Sequence, residues 1–133
     1  MSVLAVGVLL GLAAAQAAPA IEGRWANPSR SVIVDIADCG SAMCGTVSWA
    51  SAKAQQDARK GTDRLVGTPL LTNLQPRGPG WRGKLFVPDQ NMRVAARLQL
   101  VGEQLKVSGC AMGKALCKSQ LWTRADGPLP ATD

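Results

Sequence analysis

The chain has 133 residues, with fifteen Lys and Arg against nine Asp and Glu, no His, and a formal net charge of +6. That length suits one domain, and the missing His removes Ser-His-Asp and Cys-His catalysis. A positive balance favours anionic partners. The basic residues are scattered, however, the longest basic run is Arg59-Lys60, and only one Phe and no Tyr stand beside the four Trp, so nucleic-acid binding is not expected.

Met1 to Ala20 carry no charged side chain, and Val3 to Ala13 form the apolar centre expected of a signal peptide. Ala15-Gln16-Ala17 is an A-x-A site, with Ala18-Pro19-Ala20 as a later alternative. The apolar run is shorter than the ~20 residues that a bilayer span needs. The expected organisation is therefore a signal peptide over 1–17 (cleavage as late as 20), a domain over 21–125 and a flexible tail over 126–133. The mature protein is expected to be periplasmic or secreted, and not membrane-spanning.

Strand signals then recur at short intervals. After Gly23-Arg24-Trp25 and the turn residues Asn27-Pro28-Ser29, Val32, Val34 and Ile36 share one face of a β-branched run. In Thr46-Val47-Ser48-Trp49, simple alternation puts Val47 and Trp49 together. Ala52 to Lys60 reads as a short helix held only by alanines, or as a loop. Arg59 and Lys60 suit its C-terminal dipole, and Gly61 suits the position just past its end. Pro76 to Gly80 reads as an exposed loop. Beyond it, Trp81, Leu85 and Val87 oppose Arg82 and Lys84. Pro88 to Asn91 bends the chain. The clearest alternation follows, with Met92, Val94, Ala96, Leu98 and Leu100 against Arg93, Ala95, Arg97 and Gln99, which is a strand with one dry face. Gly102-Glu103 is a tight hairpin connection to Leu105-Lys106-Val107-Ser108. Cys117 to Arg124 closes the set.

Seven or eight short strands joined by local turns predict an all-β meander. Closure into an up-and-down antiparallel barrel of about eight strands, with one short helix or loop insertion, hides the sheet edges. A sandwich has the same periodicity. If the barrel holds a cavity, its predicted ligand-binding lining is Trp49, Trp81, Leu85, Val94 and Leu98, although the same residues suit simple packing.

The four cysteines, Cys39, Cys44, Cys110 and Cys117, predict a disulfide framework in an exported chain. Of the three connectivities, the close pairs Cys39–Cys44 and Cys110–Cys117 come first, each stapling a turn between strands. The crossed pairings come second. Zinc is not expected, because structural zinc sites favour shorter C-x2-C spacings, often with His. No C-x-x-C stands at a helix start, which disfavours a redox pair.

A G-x-W near the start (Gly23-Arg24-Trp25) and Trp122-Thr123-Arg124 at the end resemble the lipocalins and related calycin barrels. There the first-strand Trp is covered by an Arg of the last strand. The resemblance implies structural roles for Gly23, Trp25, Trp122 and Arg124, with Arg124 lying over Trp25. More specifically, the chain resembles the small secreted bacterial proteins grouped as domain of unknown function 2147. The matching pieces include Cys39-x4-Cys44-Gly45 leading to Trp49, Arg64-Leu65-x-Gly67, Trp81-x-Gly83-x-Leu85-Phe86-x-Pro88, Leu105-x-Val107-x-Gly109-Cys110, and Leu116-Cys117-x-x-Gln120-x-Trp122-Thr123-Arg124. The chain departs from that pattern at Met92 to Val94, where an aromatic is usual, and in the linker Asp57 to Asp63. The resemblance implies export and a lipocalin-like barrel, and no established activity.

Catalytic kits are absent: no S-x-x-K occurs, and Gly109 to Ala115 falls short of a phosphate loop, with Ala115 where a Ser or Thr would hold magnesium. Asp35 reads as an outward, solvated carboxylate. The expected protein is non-enzymatic and needs no cofactor or metal. It binds a small apolar or amphipathic ligand in the barrel. The alternative is an envelope structural or interaction protein with a filled barrel, acting on anionic surfaces through its basic exterior.

Overall fold

Wherever apolar and polar residues alternate with period two, the chain runs as a strand. The computed structural model describes residues 20–111 and 116–131. The expected signal peptide, residues 112–115 and the last two residues of the expected tail lie outside the described residues. The strands are β1 (Gly23–Ala26), β2 (Val32–Asp38), β3 (Met43–Ala50), β4 (Pro69–Arg77), β5 (Gly80–Val87), β6 (Met92–Val101), β7 (Gln104–Ala111) and β8 (Leu116–Arg124). Each pairs antiparallel with its sequence neighbour, and β1 pairs with β8 to close the barrel.

In β6, Ala96 and Leu98 are buried while Arg93, Ala95 and Gln99 are exposed, as a strand with one dry face requires. The β6–β7 turn takes Gly102 at φ +63°, a left-handed conformation that a two-residue hairpin turn places at its first position. The β1–β2 turn is held by one side chain. Asn27 Oδ1 accepts the N–H groups of Ser31 and Val32 at 2.9 and 3.0 Å.

Two strands depart from simple alternation. Ile33 pairs with Trp49 but Val34 pairs with Val47, so β3 carries one extra residue, Ser48, as a bulge. The bulge reverses the faces beyond it, and Trp49 is turned away from Val47. Trp49 packs instead with Ile33, Ala26 and Ala125 in a small second cluster. The period-two reading of Val47 and Trp49 is thereby corrected. In β4, Leu70, Leu71 and Leu74 are all buried and Asn73 has φ +55°, so its pairing shifts register on both sides. β4 also runs on to Arg77, which shortens the expected loop to a tight turn at Gly78 and Pro79.

The β3–β4 connection contains α1 (Ala52–Asp57), continued by a 3-10 turn over Ala58–Lys60. Ser51 caps α1 by accepting the Ala54 N–H at 3.1 Å. Gly61 follows, but its φ is −111°, so it is not a left-handed helix stop. Its role is close approach. A Cβ there would lie 2.5 Å from the Pro88 carbonyl oxygen and 2.9 Å from Phe86 Cζ. Gly61 thus lets the β3–β4 connection sit on Phe86 and on the 3-10 turn Pro88–Gln90 between β5 and β6. Phe86 points out of the barrel, is buried by this cover, and has the Arg93 guanidinium 4.5 Å from its ring centroid.

The main core fills the barrel from the end marked by the β2–β3, β4–β5 and β6–β7 hairpins. Trp25, Val34, Ile36, Leu71, Leu74, Leu98 and Leu105 are each at most 2 % exposed. The other end carries the β1–β2 turn, the α1 segment and the β5–β6 turn, and forms the mouth.

Candidate ligand site at the mouth of the barrel

The two poles of the barrel differ in chemistry. At the closed pole the Arg124 guanidinium lies 4.0 Å from the centroid of the Trp25 ring. It also donates to the backbone carbonyls of Glu22 at 2.5 Å and Ala20 at 3.1 Å. The Trp25 indole N–H donates to the Ile21 carbonyl at 2.9 Å, and Ile21 is fully buried. Together these contacts tie the segment before β1 beneath the barrel. Gly23 makes room for the arrangement: its φ is +117°, and a Cβ there would sit 2.6 Å from Arg124 Nη1. Trp122 is buried inside, opposite Leu105, and its indole N–H donates to Gln120 Oε1 at 2.9 Å. The disulfides are Cys39–Cys44, across the β2–β3 turn at the closed pole, and Cys110–Cys117, across the β7–β8 hairpin at the mouth.

At the mouth lies a cavity of about 470 Å³. Asn27, Ser29, Ser31 and Val32 form one side, and Ser51, Lys53, Ala54, Asp57 and Ala58 of the α1 segment form another. Leu65, Asp89 and Gln120 complete it. Local sequence explains the polar part. The Asn27 amide gathers the Ser29 and Ser31 hydroxyls at 3.3 and 3.1 Å, and those hydroxyls bond each other at 2.8 Å. Lys53 and Asp57 pair at 2.9 Å across one turn of α1. Val32, Ala54, Ala58 and Leu65 supply the apolar part. The mixed lining can hold an apolar body against the wall and hydrogen-bond a polar end at the rim.

The expected lining residues are divided by the structure. Leu85 and Val94 pair directly on the inward wall of the mouth half, partly buried. There Gly109 leaves them room, since a Cβ would lie 3.0 and 3.1 Å from their methyls. Leu98, 2 % exposed, belongs to the closed-end core, and Trp81 packs against that core. Trp49 lies outside the barrel. None of the five borders the mouth cavity. The reason is geometric: the mouth is built mostly from connections, with only Val32 of β2 and Gln120 of β8 from strands, whereas the expected lining came from strands alone. Asn27, Ser29, Ser31 and Gln120 were missed. The signal for the first three was present in Asn27-Pro28-Ser29-Arg30-Ser31, where an Asn precedes hydroxyls able to close a turn.

Among the described residues no group of three or more His, Cys, Asp or Glu gathers as a metal site, and no helix is long and apolar enough to cross a membrane. The family model described as "Uncharacterized protein conserved in bacteria (DUF2147)" matches residues 23–124. No curated protein matches the chain. A solved structure with the same fold is protein HP1028 from the human pathogen Helicobacter pylori, described as belonging to the lipocalin family. It is similar with a TM-score of 0.60 at 11 % identity, over 80 % of this chain and 84 % of that one.

Proposed function

We propose a function from one premise: this chain belongs to the DUF2147 family of uncharacterized proteins conserved in bacteria, on a lipocalin-like barrel. In our reading it is an exported, non-catalytic binding protein for a small amphipathic molecule held at the barrel mouth. The observation that carries this reading is the mouth cavity of about 470 Å³ above a barrel packed solid at its other end. That volume lies in the range of about 300–1,000 Å³ common for small-molecule sites. The apolar wall of Val32, Ala54, Ala58 and Leu65 favours burial of a hydrocarbon portion, while Ser29, Ser31, Asn27 and Gln120 offer hydrogen bonds to a polar head. The Ser29 and Ser31 hydroxyls bond each other and the Asn27 amide, while Lys53 and Asp57 of the same lining pair with each other, which favours binding over catalysis. Two disulfides suit an oxidising compartment, and with the apolar leader they support export to the periplasm.

Gln120 borders the cavity and accepts the Trp122 indole N–H, so occupancy should alter Trp122 emission. The test is native mass spectrometry of protein purified from its source cells, followed by fluorescence titration with the released molecule. A mass excess that dissociates on unfolding, and a saturable emission change lost in Trp122→Phe, are expected. A bare polypeptide mass in repeated preparations, with no emission change across a panel of fatty acids, lysolipids and sterols, would remove the proposal.

A further inference from the structure

The outer face of the barrel carries a second hollow, about 220 Å³, far from the mouth. Its border includes Arg77, Arg82, Arg97, Lys106 and Ser108. The pairing explains why these side chains meet. Gln75 of β4, Arg82 of β5, Arg97 of β6, Ser108 of β7 and Ser119 of β8 are successive partners, forming one row across five strands. Arg97 alternates with the buried Ala96 and Leu98, so the row faces outward.

Two arginines directly opposite each other on a sheet destabilise it by repulsion. Among the described residues no carboxylate pairs with either arginine to relieve that repulsion. Strands β4 to β8 contain Arg77, Arg82, Lys84, Arg93, Arg97, Lys106, Lys118 and Arg124, and no Asp or Glu. The ion pair found among the described residues, Lys53–Asp57, is on α1. Glu103, in the β6–β7 turn, does not border the hollow. At the end of the row, Ser108 is 8 % exposed and its hydroxyl lies 2.7 Å from that of Ser119. In such a pair one hydroxyl donates to the other, and the accepting hydroxyl keeps its own proton for a third group.

We propose that this hollow is a binding site for a phosphate group, gripped by Arg82 and Arg97 with Lys106 and Arg77 at its rim. Guanidinium pairs match phosphate oxygens in a planar, bidentate way. A bound phosphate anion, of one charge or two, converts the Arg82–Arg97 repulsion into attraction and accepts a hydrogen bond from the spare serine hydroxyl. The phosphate is either a free or sugar-borne group or the head of an anionic lipid, since both present at least two negatively charged, non-bridging oxygens to a guanidinium fork.

The test measures inorganic phosphate binding by calorimetry at low salt, and, in a second arm, co-flotation with phosphatidylglycerol vesicles against phosphatidylcholine vesicles. The variants are Arg82→Gln/Arg97→Gln and, as an equal-charge control on the opposite connection, Arg59→Gln/Lys60→Gln, with melting temperatures recorded for both. A one-to-one site in either arm, weakened at least tenfold by the first variant and less than threefold by the control, supports the proposal. Saturation with inorganic phosphate assigns the free group, and vesicle binding without it assigns the lipid head. Equal loss in both variants would mean a diffuse charge effect and overturn the site, as would the absence of saturable binding in both arms.

Discussion

Arg124 is exposed on one side and lies against Trp25 on the other, so its value lies in desolvated contact rather than in charge alone. The ring contact is worth about 1–2 kcal/mol, and each hydrogen bond to the carbonyls of Ala20 and Glu22 adds about 1 kcal/mol or less at this wet edge. Arg124→Gln should therefore cost about 1–3 kcal/mol in urea unfolding. Gly23→Ala meets two penalties, a non-Gly residue at φ +117° and a Cβ against the guanidinium, together about 1–3 kcal/mol. Because the second penalty vanishes with Arg124, the double variant should be more stable than the sum of the singles implies, by about 0.5 kcal/mol or more. Strict additivity would show that the guanidinium does not occupy the space beside Gly23. Trp49 presents the opposite case. Its indole nitrogen is buried with no hydrogen-bond partner, an arrangement that costs about 1–3 kcal/mol of desolvation. Trp49→Phe removes that polar group and keeps an aromatic ring against Ile33, so stability should hold within about 0.5 kcal/mol or rise. A loss above about 2 kcal/mol would mean that the indole nitrogen is satisfied in solution.

At the scale of elements the weak place is the seam. β1 pairs with β8 only through Trp25–Arg124 and Ala26–Thr123, with one further backbone bond from the Ala125 N–H to the Arg24 carbonyl at 2.9 Å. That bond fixes the phase. Alternation along β8 points the Ser119 and Leu121 backbone groups at the seam and those of Gln120 and Trp122 at β7. β1 has already turned away at Asn27, so no described backbone group pairs with Ser119 or Leu121 across the seam. Hydrogen exchange followed by NMR should show the Ser119 and Leu121 amides exchanging at least tenfold faster than those of Gln120 and Trp122. Equal protection would show that a strand covers this edge. Most elements could be read in advance, and the exceptions have specific causes. β6 announces itself because every second residue is apolar over its whole length. β4 does not, because a left-handed Asn73 between two register shifts destroys the period that would have marked it. Trp49 was assigned to the wrong face because one inserted residue, Ser48, is invisible to an alternation count. Gly61 was placed correctly after the helix but for a mistaken reason. Its missing side chain serves Pro88 and Phe86, which are distant in sequence.

For the molecule as a whole, closure and the sealed pole were legible because they rest on a few chemically distinctive residues: Gly23, Trp25, Trp122 and Arg124. The mouth was not, because its wall is assembled mostly from three connections whose proximity exists only after the barrel closes. The outcome is a division of labour along the barrel axis, with stability at one end and recognition at the other, and that division can be tested with two substitutions. Leu98→Ala empties a fully packed position in the closed half and should cost about 2–5 kcal/mol, with the affinity of the folded protein for its mouth ligand unchanged. Ser29→Trp places a bulky ring at an exposed turn residue that borders the mouth cavity. It should shift stability by only about 0.5 kcal/mol, as surface changes usually do, yet weaken the ligand at least tenfold by occupying its space. Thermal unfolding and the Trp122 emission titration read the two effects separately. If Leu98→Ala abolished binding while Ser29→Trp left it intact, the ligand would lie deep among the strands, and the solid packing around Leu98 would have to open to admit it.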